Sequence, residues 1–204
     1  YIAGVGDGVT NVKEGDRVSI WRDPGHHIAG CYAQYVVAQA ENVIHVPDSL
    51  PFPATAPVEL AMCVGASFLL MKQMNVIKDR VFAVVGLGPA GMIAVQMAKA
   101  EGATKVIGFD LENARRELAL TIGADETYNS HDALHDIFPT RPEPTVIQTG
   151  IDCVGAKASV EFLMDITQDV VALFGVQREP YTYLPKHQKG LRLCGYPGHS
   201  YEAA

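Results

Sequence analysis

Gly86-Leu87-Gly88-Pro89-Ala90-Gly91 stands between an all-apolar run, Val81–Val85, and a helix-forming segment, Ala90–Ala100. No other stretch of the chain restricts the fold so tightly. A Gly-x-Gly-x-x-Gly after a strand and at the head of a helix requires a tight turn at Gly86. It also requires a bare backbone at Gly88 and close packing of helix on strand at Gly91. A βαβ unit of parallel sheet meets all three demands, and its helix N-terminus presents N–H groups and positive dipole to phosphates. Lys105–Phe109 supplies a second strand and Glu126–Tyr128 a third, so residues 81–128 are expected to form a dinucleotide-binding unit. Asp110 closes the second strand, nineteen residues past Gly91. A carboxylate there accepts hydrogen bonds from the adenosine-ribose hydroxyls and repels a 2′-phosphate, which points to NAD over NADP. The alternative is a strand-end Asp that caps the next helix. Arg115, one turn further on, is either a partner for the adenine or a solvated helix-face arginine.

The rest of the chain extends this unit on both sides. Glu112–Ile122 is expected as a helix, Val146–Cys153 as a strand, Ala156–Ile166 as a helix, and Val170–Val176 and Leu191–Cys194 as strands. His131–Phe138 is a weak helix candidate and Arg141–Pro144 a proline-broken loop. Continuous apolar strands alternating with helices imply an α/β Rossmann architecture, a parallel sheet with helices on both faces. Val58–Met74 is apolar nearly all round and is expected as a buried helix. Before it, the short β-type runs Tyr1–Val5, Val18–Trp21, Tyr32–Ala38 and Val43–Val46 alternate with turn signals and suggest a small β-rich domain or part of one. Pro47–Pro57 marks the boundary, giving domains 1–57 and 58–204.

Composition narrows the function classes. The formal net charge of −7 argues against nucleic-acid and anionic-membrane partners, which need clustered positive surface. No apolar run reaches the roughly 18 residues that span a bilayer. Cys31, Cys63, Cys153 and Cys194 show no paired spacing, so neither a disulfide framework nor a zinc knuckle is indicated and a reducing, cytoplasmic setting is expected.

Several stretches together resemble the medium-chain dehydrogenase/reductases, in particular the zinc-dependent alcohol and polyol dehydrogenase branch. Gly4–Val18 (GVGDGVTNVKEGDRV) and Gly30–Val37 (GCYAQYVV) resemble parts of that family's GroES-like catalytic domain. Val81–Asp125, with GLGPAG and TIGAD, resembles its Rossmann half, and Ile151–Gly155 (IDCVG) and Leu173–Val176 (LFGV) resemble the loops that flank the nicotinamide. The resemblance implies a partial GroES-like domain before the Rossmann domain, and cofactor contacts from Gly86, Gly88, Pro89, Ala90, Gly91, Asp110, Arg115, Val154, Gly155 and Val176. It implies hydride transfer between a primary or secondary alcohol and NAD, a small-molecule substrate, and pairing of subunits through the sheet edge near Leu191–Cys194. It also implies that the chain is an interior part of a longer enzyme, since the family's first two zinc ligands precede the stretch matched here.

The same resemblance places one catalytic zinc, with a ligand at the start of the helix Val58–Met74. Cys63 and Glu59, one turn apart, are the two candidates. Cys63 is favoured because Ser67 follows at the spacing where family members with a Cys ligand place a hydroxyl near the nicotinamide. Glu59 resembles the Glu-Pro-Leu ligand of the polyol type, with Leu60 in place of the Pro; it otherwise serves as a partner that tunes the metal. The four-cysteine structural zinc lobe has no counterpart, and His26 and His27 are expected as a surface pair. Two alternatives remain at this stage: a zinc-free quinone or enoyl reductase of the same superfamily, and a non-catalytic NAD-binding protein.

Overall fold

The computed structural model describes residues 1–21, 29–130, 147–188 and 190–197. His26, His27, His131–Phe138 and Arg141–Pro144 lie outside them. The chain divides into two compact units, Tyr1–Cys63 and Val64–Ala203, and the division falls within a helix, α1 (Val58–Gln73).

The first unit holds a two-stranded antiparallel ribbon. Strand β1 (Val18–Ile20) pairs with β2 (Val43–His45), with Val18 opposite His45 and Ile20 opposite Val43. Tyr1–Val5 is not a strand. Ile2 instead exchanges two bonds with the turn at Gly15-Asp16, and no ladder continues from them. Tyr32–Ala38 likewise forms no strand among the described residues; the chain bends at Ala33 and Gln34, and Tyr32 and Val37 are almost fully exposed. Both runs carry strand-forming residues, but a strand requires a partner backbone as well as propensity.

The second unit is a six-stranded, all-parallel sheet of order β5-β4-β3-β6-β7-β8. Its strands are β3 (Val81–Val85), β4 (Lys105–Phe109), β5 (Glu126–Tyr128), β6 (Ile147–Asp152), β7 (Thr167–Leu173) and β8 (Arg192–Gly195). Relative to β3, this is the 3-2-1-4-5-6 order of a doubly wound dinucleotide-binding sheet, whose order reverses between β3 and β6. Alternate residues of each strand feed opposite faces. Phe82, Val84, Val106, Ile151 and Ala172 pack with Val64, Phe68 and Met71 of α1 and with Ala94, Val95 and Ala98 of α2 (Pro89–Ala100). Ala83, Val85, Ile107, Phe109 and Val171 pack on the other face with Val160 and Leu163 of α4 (Lys157–Ile166). Helix α3 (Asn113–Thr121) adds Ala119 to the first face. The expected Rossmann fold with helices on both faces is therefore observed.

Several element boundaries differ from those expected by a residue or more, and the shifts of α2 and β7 have identifiable reasons. Helix α2 starts at Pro89, because proline is pre-shaped for the first helical position and has no N–H to leave unpaired. Strand β7 begins at Thr167, directly after α4 and three residues before the apolar run, and ends at Leu173. Its polar start is held by ladder pairing of Thr167 with Ile147 and by ion pairs from Arg80 and Arg192 to Asp169. Its end comes where the Phe174 and Gly175 N–H groups turn to the Asp152 carbonyl. Among the described residues, no helix is long and apolar enough to cross a membrane.

Candidate functional site: the carboxyl edge of the sheet and the head of helix α1

At the carboxyl ends of β3, β4, β6 and β7 the structure brings together Gly86–Gly91, Asp110, Val154, Gly155 and Val176. Gly86 has φ +87°, a left-handed conformation that favours glycine, and a Cβ there would strike the Val154 side chain. A Cβ on Gly91 would strike the Gly86 carbonyl, so the third glycine lets the helix close onto the turn. Gly88 differs from both: a Cβ there would meet nothing within 4 Å. It caps α2 in extended conformation and its carbonyl accepts the Met92 N–H. Its lack of a side chain answers no packing need of the protein. It leaves open backbone at a helix N-terminus, where a pyrophosphate is stabilised by N–H groups and dipole.

Asp110 is buried at the end of β4 and ties the two ends of the unit together. Its Oδ2 accepts the Leu87 N–H at 2.7 Å and its Oδ1 accepts the Glu112 N–H at 2.8 Å. Each carboxylate oxygen retains a further lone pair, the capacity needed to accept ribose hydroxyls. Arg115 lies 3.5 Å from Oδ2 and is about half exposed, so it pairs with the carboxylate. Arg116, which sequence reasoning missed, locks the following loop: its guanidinium donates to the carbonyls of Asp110 and Leu111, both at 2.8 Å, and to Asn113 Oδ1 at 3.0 Å. Leu87 was also missed. It is buried, and it fills the space left by Gly108 on β4, where a Cβ would come within 3.1 Å of its methyl groups. Only a small residue on β4 allows this, a signal visible in the sequence once the two strands are paired.

Across the switch point, Val154 and Val176 are exposed apolar side chains at 45% and 77%. Between them lies Gly155, with φ +81°, where a Cβ would strike the Val176 carbonyl. Two exposed valines therefore flank a glycine loop at this edge of the sheet. Cys153 precedes this loop and packs partly buried against the core on the α1 and α2 face, where desolvation pushes its thiol well above the ordinary range.

Glu59 and Cys63 lie one turn apart at the head of α1. The Cys63 thiol donates to Glu59 Oε1 at 3.6 Å, and Cys63 is buried. Two ligands of a tetrahedral zinc, with Zn–S of about 2.3 Å and Zn–O of about 2.0 Å, lie about 3.5 Å apart, so the pair is spaced as two zinc ligands would be. Among the described residues no group of three or more His, Cys, Asp and Glu side chains is gathered to hold a metal ion. Ser67 follows one turn later. It is buried, and its Oγ has no hydrogen-bond partner among the described residues. A buried hydroxyl left in this state is costly unless a ligand completes it.

Comparison with known proteins identifies the family. Residues 89–199 match the zinc-binding dehydrogenase family model. The alcohol dehydrogenase of Geobacillus stearothermophilus is 34% identical over 153 residues, covering 63% of this chain and 44% of that protein. The sorbitol dehydrogenase of Bacillus subtilis (strain 168) is 27% identical, covering 89% of this chain and 65% of that protein. The chain thus spans about half the length of the curated relatives it matches. The crystal structure of galactitol-1-phosphate dehydrogenase from Escherichia coli superposes with a TM-score of 0.79 at 20% identity, covering all of this chain and 68% of that one. At that identity the likeness establishes the fold. Taken with the matched family model, it makes this chain a member of the zinc-binding dehydrogenases of the medium-chain dehydrogenase/reductase superfamily.

Proposed function

We propose that this chain forms part of a zinc-dependent alcohol or polyol dehydrogenase that uses NAD. The observation that carries the reading is the Asp110 carboxylate, anchored on the Leu87 N–H beside the open backbone of Gly88. Gly88 and the head of α2 receive the pyrophosphate, and Pro89, Ala90 and Gly91 shape that helix start. Asp110 accepts the ribose hydroxyls, with Arg115 beside it for the adenine side. Val154, Gly155 and Val176 support the nicotinamide and keep water from one face of it.

Cys63 is the proposed zinc ligand on α1, with Glu59 as co-ligand or as the neighbouring carboxylate that accepts from the thiol before metal binds and tunes the metal afterwards. Ser67 supplies a hydroxyl that can hold or pass a proton once a ligand completes its bonding. Bound zinc would act as a Lewis acid on the substrate oxygen, and NAD would accept the hydride. In this reading residues 1–57 are part of a GroES-like domain and residues 58–204 belong to the Rossmann domain. The substrate is a small alcohol or polyol, and the free cysteines suit a cytoplasmic protein. Strand β8 is an edge of the sheet, and pairing of two copies along it is the proposed route to an oligomer.

The test is NAD-dependent oxidation of primary and secondary alcohols and polyols by the intact protein, with zinc measured in the same preparation. Activity is expected to disappear on chelation and return with zinc. Turnover that survives complete metal removal, or a firm preference for NADPH, overturns the proposal in favour of a zinc-free reductase.

A further inference from the structure

Asp152 ends β6 in register with Val85, at the point where the strand order reverses, and its side chain is wholly buried. Its two acceptor groups serve different loops. The main-chain carbonyl accepts the N–H groups of Phe174 at 3.0 Å and Gly175 at 2.8 Å, which turns the chain after β7. The carboxylate Oδ2 accepts the Gly155 N–H at 2.9 Å, which turns the chain after β6.

The two loops meet backbone to backbone. A Cβ on Gly155 would strike the Val176 carbonyl, and a Cβ on Gly175 would strike the Gly155 nitrogen. The same loop reaches the glycine-rich turn, because Val154 fills the space beside Gly86 and the Cys153 N–H donates to the Val85 carbonyl at 2.8 Å. A shift of the Gly155 turn therefore displaces Val154 and Val176 together. Burial pushes the Asp152 carboxyl above the usual carboxylate range, which the Ser159 hydroxyl and the Gly155 N–H offset only in part. A buried acid is a costly way to close one loop, since an amide of the same size avoids the cost of burying a charge and an apolar side chain avoids desolvation altogether.

We propose that Asp152 is the positioning residue for the nicotinamide half of the cofactor. It touches no part of the cofactor; it sets Val154, Gly155 and Val176 in one arrangement by fastening both loops. This rests on the nicotinamide placement under Proposed function.

The test compares NADH with ADP-ribose, which lacks the nicotinamide, by calorimetric titration, together with the fluorescence anisotropy of bound NADH. In Asp152→Ala, NADH is expected to bind about tenfold more weakly with lowered anisotropy, while ADP-ribose stays within about twofold, the loss of one buried hydrogen bond being felt at one end only. Asp152→Asn keeps an acceptor for the Gly155 N–H and is expected to restore most of the NADH affinity. Should Asp152→Ala not fold, Asp152→Leu, which fills the space without an acceptor for the Gly155 N–H, is expected to reproduce the split and keeps the test decisive. Parallel weakening of both ligands, or no change in either, overturns the positioning role. A wild-type chain that binds neither ligand overturns the cofactor reading itself.

Discussion

The Leu87 N–H donates to Asp110 Oδ2 at 2.7 Å, joining the glycine-rich turn to the end of the next strand. In the proposed function the same carboxylate that holds this turn also selects the ribose. Asp110→Ala leaves the buried Leu87 N–H without its acceptor, a cost of about 1–3 kcal/mol, and removes the charge that repels a 2′-phosphate. NADH affinity should fall while NADPH affinity holds or rises, so that the NADH-to-NADPH preference drops at least about tenfold. Fluorescence titration with the two nucleotides measures it; an unchanged ratio would remove Asp110 as the selector.

The glycines of the turn separate folding from binding. At Gly91 an added methyl meets the Gly86 carbonyl, part of a backbone that cannot yield cheaply, whereas at Gly88 it meets open space. Gly91→Ala should cost about 2–3 kcal/mol of stability through overpacking. Gly88→Ala should leave the melting temperature within about 2 °C and weaken NADH at least about tenfold, because its methyl occupies the place of the pyrophosphate. Thermal denaturation and nucleotide titration on the two variants check both halves.

Acid should act through Asp169 at the other end of the sheet. Burial alone would raise its pKa, but hydrogen bonds from Arg192 and Arg80 outweigh burial and hold it below the usual carboxylate value. Arg80 reaches it at 2.6 Å and Arg192 at 2.7 Å, which joins the starts of β3, β7 and β8. A group with a lowered folded pKa stabilises above its unfolded value, about 3.9, and loses that contribution as pH falls through the folded value. Asp169→Asn should therefore cost about 1 kcal/mol at pH 7 after allowance for solvent screening, and progressively less below about pH 4. The raised pKa of Asp152 has the opposite sign: its relative contribution is largest below about pH 4 and declines as pH rises through the folded value. Urea denaturation of wild type and Asp169→Asn at pH 3 and pH 7 measures the difference; an equal gap at both pH values contradicts it.

What could be read from the sequence was what lies in local order. Val81–Val85, the three glycines and Asp110 fall within thirty residues, and each needs only its neighbours to be interpretable. What escaped were contacts that depend on strand pairing. Asp169 looks like a polar residue before an apolar run until Arg80, eighty-nine positions earlier, is placed beside it, and then it belongs to β7. Leu87 becomes a site residue only when Gly108 lies beneath it. Tyr1–Val5 and Tyr32–Ala38 failed in the reverse sense, having strand composition without a ladder to join. Asp152 carried one hint, an acid at the very end of strand β6, and its proposed role depends on Gly155 and Gly175 meeting it from two loops.

The pair at the head of α1 yields the last prediction. Cys63 Sγ and Glu59 Oε1 are 3.6 Å apart, close to the separation of two ligands on one tetrahedral zinc. Thiolate is the stronger zinc donor, so the two substitutions should differ in degree. Cys63→Ala should abolish zinc retention after dialysis against a chelator. Glu59→Gln keeps the sulfur and the side-chain shape, and should weaken zinc by about ten- to a hundredfold, the usual effect of losing a group that orients a ligand. Metal content by mass spectrometry after dialysis at graded chelator concentrations distinguishes them. If Glu59→Gln loses zinc as completely as Cys63→Ala, the carboxylate is itself a ligand. If both retain it at the wild-type level, neither residue holds the metal, and Cys63 is simply a buried thiol on an apolar helix.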